Sequence, residues 1–114
     1  MLYLIFVIHY IADFVLQSRW MAENKSSNVT ALMTHVSIYS LCFLPLVYFT
    51  DSILLFVFLI WNFVTHCIID FFTSQWTTKF YQEKRMKAFW NMIGFDQMLH
   101  AVTLMGMAHI CKLV

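Results

Sequence analysis

Histidine and aspartate recur four residues apart in this chain, within segments otherwise built of Leu, Ile, Phe and Val. The pairs are His9 and Asp13, His66 and Asp70 and, in reversed order, Asp96 and His100. On a helix, residues four apart lie on one face, so Asn62, His66, Asp70 and Ser74 form a single polar stripe. An unpaired carboxylate or imidazole in hydrocarbon costs about 3 kcal/mol on insertion scales. The stripe therefore needs partners from elsewhere in the chain. His35, the lone imidazole of another apolar segment, is one candidate.

Imidazole with carboxylate is the ligand set of zinc, manganese and iron, and helical bundles build such sites from facing helices. The candidate metal ligands are His9, Asp13, His35, His66, Asp70, Asp96 and His100. Seven exceed the needs of one tetrahedral zinc. Some must then orient the ligands, or two metals are held together. The expected cofactor is a divalent metal ion, zinc first, with manganese or iron as alternatives. A metal that activates water needs a general base, and Asp13 and Asp96 are the catalytic candidates. Gln17, Gln75 and Gln97 are candidates to orient substrate, and Asn62 and Thr103 to support ligands. Three other readings stand beside this one. A single His/Asp pair inside a membrane helix serves as interhelical glue. Two facing imidazoles, such as His66 with His100 or His9 with His35, would hold a haem, although three carboxylates one turn away would crowd it. Intramembrane Asp and His also mark metal-ion or proton pathways.

The elements that position these residues follow from composition. The 114 residues are 61% hydrophobic and 11% charged, against about 25% charged in soluble domains. This is the composition of a polytopic membrane protein in one domain, 1–114. A net charge of +1 gives no basis for nucleic-acid binding. Cys42, Cys67 and Cys111 are isolated and odd in number, so they indicate buried small hydrophobes, not a disulfide framework. Crossings are expected at about 1–17, 30–49, 53–76 and 88–110, with Pro45 kinking the second or shortening its regular part. Asp51 or Ser52 should cap the third. Residues 18–29 and 77–87 are expected as loops. They hold Arg19, Lys25, Lys79, Lys84, Arg85 and Lys87, whereas the opposite side has only Lys112 and the N-terminus. The positive-inside rule then puts both loops in the cytoplasm and both termini outside it, in a multi-pass inner-membrane protein. Trp20, Trp76 and Trp90 suit the membrane interface, and His109 lies near the outer end, away from the other imidazoles.

The first and third segments share the pattern H-x-I-x-D-F followed by a Trp, at His9–Phe14 and His66–Phe71. The expected fold is therefore an all-α, four-helix antiparallel transmembrane bundle of two pseudo-repeated hairpins. Segments one and three run towards the cytoplasm with His before Asp; segment four runs away with Asp before His. All three aspartates consequently share one depth, and the histidines lie one turn deeper. His35, about 7 Å in from the start of its helix, fits the same half.

The combination His9-x3-Asp13-Phe14-x2-Gln17-x2-Trp20-Met-Ala-x-Asn24-Lys25, then His35, then His66-x2-Ile69-Asp70, then Asp96-Gln97-x2-His100 resembles a family of small integral membrane proteins of bacteria and phages. That family is catalogued as domain of unknown function 3307. The resemblance spans nearly the whole chain and implies a four-helix membrane protein without an assigned activity. The expected function is metal-dependent hydrolysis of a lipid-like or membrane-embedded substrate, with metal-ion or proton transport and, behind it, bis-His haem binding as alternatives. The expected partners are the lipid bilayer and, for transport by so small a bundle, a homo-oligomer.

Overall fold

A computed structural model describes residues 1–114. It contains five α-helices and no strand: α1 (Leu2–Tyr10), α2 (Arg19–Asn24), α3 (Val29–Leu41), α4 (Ser52–Gln82) and α5 (Met86–Ile110). A π-helical turn, Ile11–Val15, continues α1, and a 3-10 turn, Leu44–Tyr48, follows α3. Side chains set the starts. Ser18 accepts from the Met21 amide, Asn28 from Thr30 and Ala31, and Asp51 from Ile53, each satisfying a backbone donor that the first helical turn leaves free.

The ends explain where the sequence boundaries shift. Helix α4 runs six residues past Trp76, because Thr77–Gln82 contains neither Gly nor Pro and nothing there interrupts the ladder. It stops where Lys84 takes φ 56°, with the Arg85 amide donating to Phe80 O and the Lys84 amide to Tyr81 O. Lys112, at φ 58°, ends α5 in the same way. Both are Schellman ends with lysine in the left-handed position that glycine favours. The expected loop 77–87 thus shrinks to the turn between α4 and α5, and the expected loop 18–29 contains α2. Pro45 acts as anticipated: α3 ends at Leu41 and the chain continues as a 3-10 turn.

Two helical stretches, Val29–Tyr48 and Ser52–Gln82, are long and apolar enough to cross a membrane, and Leu2–Val15 is apolar but shorter. Met86–Ile110 is long but does not join that set.

Along its length the bundle divides into two halves. One half is an apolar core of Ile5, Tyr39, Phe43, Leu46, Phe58, Leu104 and their neighbours, including the buried Cys111. Cys42 and Cys67 are only partly buried, and all three thiols are free. The other half is filled by polar side chains: His9, Asp13, His35, Asn62, His66, Asp70, Thr73, Ser74 and His100 are all buried. Tyr39 joins the halves, its ring centroid 3.9 Å from that of His66 and 5.3 Å from that of Phe43.

Candidate metal centre

The whole stripe on α4, Asn62, His66, Asp70 and Ser74, faces inward, and three other elements supply its partners. His35 comes from α3, Asp13 from the π turn, and Asp96 and His100 from α5. The Nε2 of His35 lies 3.1 Å from His66 Nε2, 3.1 Å from Asp13 Oδ1 and 3.2 Å from Asp70 Oδ2. That of His66 lies 3.4 Å from Asp13 Oδ1 and 3.3 Å from Asp70 Oδ2.

These distances are five of the six edges of a tetrahedron. An ion with bonds of about 2.0–2.1 Å to four ligands requires edges of about 3.3–3.4 Å, so the four atoms stand close to coordination spacing. Two imidazole nitrogens so close can share only one proton, and two carboxylates facing the same point repel. A divalent cation at the centre satisfies all four. Asp13, His35, His66 and Asp70 could therefore hold a metal ion.

Asp13, Asp96 and His100 form a second group of ligand spacing. His100 Nε2 lies 3.0 Å from Asp70 Oδ1 and 3.4 Å from Asp96 Oδ1. Asp70 thus turns one oxygen to each group, and Asp13 belongs to both. The ring of His100 also stacks on that of His66 at 4.1 Å, which leaves no slot for a porphyrin between them. The haem reading of that pair is corrected on this ground.

His9 stands apart from both groups. Its Nδ1 meets the Tyr39 hydroxyl at 2.9 Å and its Nε2 meets Gln97 Oε1 at 3.1 Å, so both ring nitrogens are engaged. The π turn accounts for the difference from His66. Leu16 N donates to Ile11 O five residues back, which moves Asp13 off the register that would align it with His9. His9 instead steadies Gln97, whose Nε2 donates to Asp13 Oδ2 at 2.9 Å and to Asp96 Oδ2 at 3.1 Å. In the other haem pair, His9 is held by Tyr39 and Gln97 and His35 by Asp13 and His66.

Several supporting residues were not singled out from sequence. Lys25, read as a basic loop residue and as the end of the first family motif, places Nζ 2.9 Å from Asp70 Oδ2. Burial opposes its charge, yet Asp70 and then Asp13 hold its ammonium above the ordinary lysine range. Three inward carboxylates in need of cations were the available signal. Thr73 donates to Asp96 Oδ1 at 2.5 Å; its place three residues after Asp70 puts it on the inward face. Tyr39 stands one turn after His35. Gln97, in contrast, was expected as a substrate-orienting residue, and it joins the site although it directly follows Asp96. Gln75 is exposed, correcting its candidacy, and Thr103 bonds only to backbone carbonyls of its own helix. His109 is exposed near the end of α5, as expected.

A cavity of about 450 Å³ opens onto this cluster. Asp13, Asp96 and Gln97 line it, together with Lys25 and Glu23 near α2 and Thr77, Thr78 and Tyr81 near the end of α4. Phe14, Phe89 and Ile93 give it apolar walls. Ser74 Oγ and Gln17 Oε1, both on lining residues, are buried without a hydrogen-bond partner.

Fold and site together define an all-helical protein with a buried His/Asp cluster of metal-binding spacing. The chain belongs to the family described as protein of unknown function (DUF3307), whose model matches residues 1–114, the full span. No curated protein and no solved structure matches it significantly.

Proposed function

We propose that this chain is a four-crossing membrane protein that binds a divalent metal at Asp13, His35, His66 and Asp70 and hydrolyses a lipid-like or membrane-embedded substrate in the adjoining cavity. The observation that carries the reading is the near-tetrahedral spacing of four buried ligand atoms at the edge of a cavity. The membrane part is supported by inverted polarity. Polar residues fill one half of the interior, while Ile53, Phe56, Ile60, Val64, Ile68, Phe71 and Phe72 face outward along α4. So extended an exposed apolar surface marks a membrane or partner contact. In this reading α1 with its π turn, α3 with its 3-10 turn, α4 and α5 all cross the inner membrane, the cavity faces the cytoplasmic leaflet and both termini lie outside the cytoplasm.

A metal held by Asp13, His35, His66 and Asp70 would supply Lewis acidity to water or substrate, for which one of the four side chains must leave a position open. The chain's own residues do the rest. Asp96 lines the cavity outside the first tetrahedron, is anchored by Thr73 and Gln97, and serves as general base. Gln97 holds Asp13 and Asp96 at a fixed separation. Phe14, Phe89 and Ile93 take up the apolar part of the substrate and exclude water.

The test is elemental analysis of detergent-purified protein, followed by assay of ester hydrolysis in extracted membrane lipids. At least one zinc, manganese or iron ion per chain is expected, with hydrolysis lowered about 10²–10⁴-fold in Asp96→Asn. A metal-free protein whose His66→Ala and Asp70→Ala variants are as stable as the parent overturns the metal reading. Metal-dependent proton or metal flux in liposomes, without hydrolysis, replaces the enzyme by a transporter.

A further inference from the structure

The three carboxylates of the cluster do not balance with a single cation partner. Asp13 and Asp70 are almost fully buried and the Asp96 side chain is 14% exposed. Against them stands one ammonium, Lys25, 16% exposed. With the imidazoles neutral, as metal ligation requires, two negative charges remain. One divalent ion in the Asp13/His35/His66/Asp70 tetrahedron cancels them. A second ion would leave two positive charges in a poorly solvated site, a cost of several kcal/mol per uncompensated ion.

Yet a second set of ligands stands ready. Asp96 and His100 are 3.4 Å apart, Asp13 lies within ligand reach of both, and the second oxygen of Asp70 is 3.0 Å from His100 Nε2. Two carboxylates and an imidazole leave coordination positions open, and the cavity begins at Asp13 and Asp96. Its lining adds Lys25, the unpartnered, buried Ser74 hydroxyl, which is free to donate, and the carboxylate of Glu23, which is paired with Arg19. The first two suit an anion. Ions bound by one or two carboxylates commonly complete their shell with substrate phosphate oxygens.

We propose that Asp13, Asp96 and His100 form a second divalent-cation site that fills together with a phosphate-type anion seated in the cavity. This rests on the metal-centre reading and deepens it by naming the substrate class, a phosphate ester; with the second ion bound, Asp96 acts as its ligand in place of the general base. The anion supplies the negative charge that the second ion needs, and the ion supplies the site for the anion. By linkage, each raises the other's affinity by the same factor. The apolar walls of Phe14, Phe89 and Ile93 favour an ester with a hydrocarbon chain over free phosphate.

Equilibrium dialysis of the full chain in detergent against Mn2+ tests this in three arms: the ion alone, with inorganic phosphate, and with a short-chain alkyl phosphate. One Mn2+ per chain is expected alone. A second is expected with either phosphate, at least tenfold tighter than without it, accompanied by an exchange-coupled Mn2+ resonance signal. Tighter uptake with the alkyl phosphate supports a lipid source, and equal uptake supports free phosphate; the shared chemistry stands in both. Asp96→Asn should keep the first ion, which reports an intact fold, and lose the second. Retention of the phosphate-dependent second ion in Asp96→Asn makes Asp96 a base alone and overturns the proposal. So does one ion in every arm, or two without any anion. No ion in any arm overturns the metal-centre reading itself, and the second site with it.

Discussion

His66 illustrates what a single buried residue demands of its neighbours. Its Nε2 faces the cluster, while its Nδ1 is buried without a partner, and so is Nδ2 of Asn62 one turn earlier on the same face of α4. A rotation of the Asn62 side chain that brought Oδ1 to the His66 Nδ1–H would give that group its missing partner. Such a bond would fix the tautomer that leaves Nε2 free for a metal. Asn62→Leu should therefore weaken metal affinity about 10–100-fold, and Asn62→Asp should restore it, as read by competition with a chromophoric chelator. Lys25 makes the opposite prediction for stability and affinity. Removing one partner of a buried ion pair destabilises, by up to about 3 kcal/mol for a pair with one end partly exposed. Lys25→Met should lower the unfolding midpoint of the chelator-stripped protein. Because the cluster then carries one more negative charge, the same variant should bind a divalent ion more tightly.

At the scale of the element, the π turn Ile11–Val15 distinguishes the two H-x-I-x-D-F motifs. In α4 the ladder is uninterrupted, and His66 and Asp70 both enter the cluster; in α1 the turn intervenes, so Asp13 enters and His9 supports Gln97. Deleting the exposed Ile11 should convert the π turn to α-helix, keep the flanking residues in register and shift Asp13, inside the turn, by part of a turn out of the cluster. The expected result is loss of metal binding with helical content unchanged by circular dichroism. Retained binding would show that the turn does not set Asp13. Capping is the other property of this scale that sequence made legible: Asp51 and Pro45 act where their chemistry predicts. The end of α4 was not legible, because a lysine in the left-handed position gives no signal comparable to glycine.

For the whole molecule, the relation of surface to interior carries the membrane reading, since an apolar exterior around a polar interior is stable only where the surroundings are apolar. The bundle measures 46 × 26 × 20 Å, longer than a hydrocarbon core of about 30 Å. In the proposed membrane arrangement the charged end, with α2 and the α4–α5 turn, is the part that would project into the aqueous phase. With the three native cysteines replaced, Lys84→Cys should react with a membrane-impermeant maleimide only after the cytoplasmic face is opened. Val114→Cys should react in intact spheroplasts. The reverse pattern would invert the topology and place the cavity towards the outer leaflet.

Sequence alone determined which residues share a helix face, because four-residue spacing is a local property of the backbone. It placed the stripe Asn62–His66–Asp70–Ser74 inward, and the reversal of order between helices of opposite direction put Asp13, Asp70 and Asp96 at one depth with His9, His66 and His100 one turn deeper, His35 falling in the same half. Spacing says nothing about the rotation of one helix against another or about where a loop folds back. Those were decided by contacts between residues far apart in the chain: Lys25 with Asp70, His9 with Gln97, and His35 with His66. Hence the tetrahedron, the exclusion of His9 from it and the lysine beside it appear only once the helices are packed, where burial leaves each carboxylate no water and obliges it to find a cation.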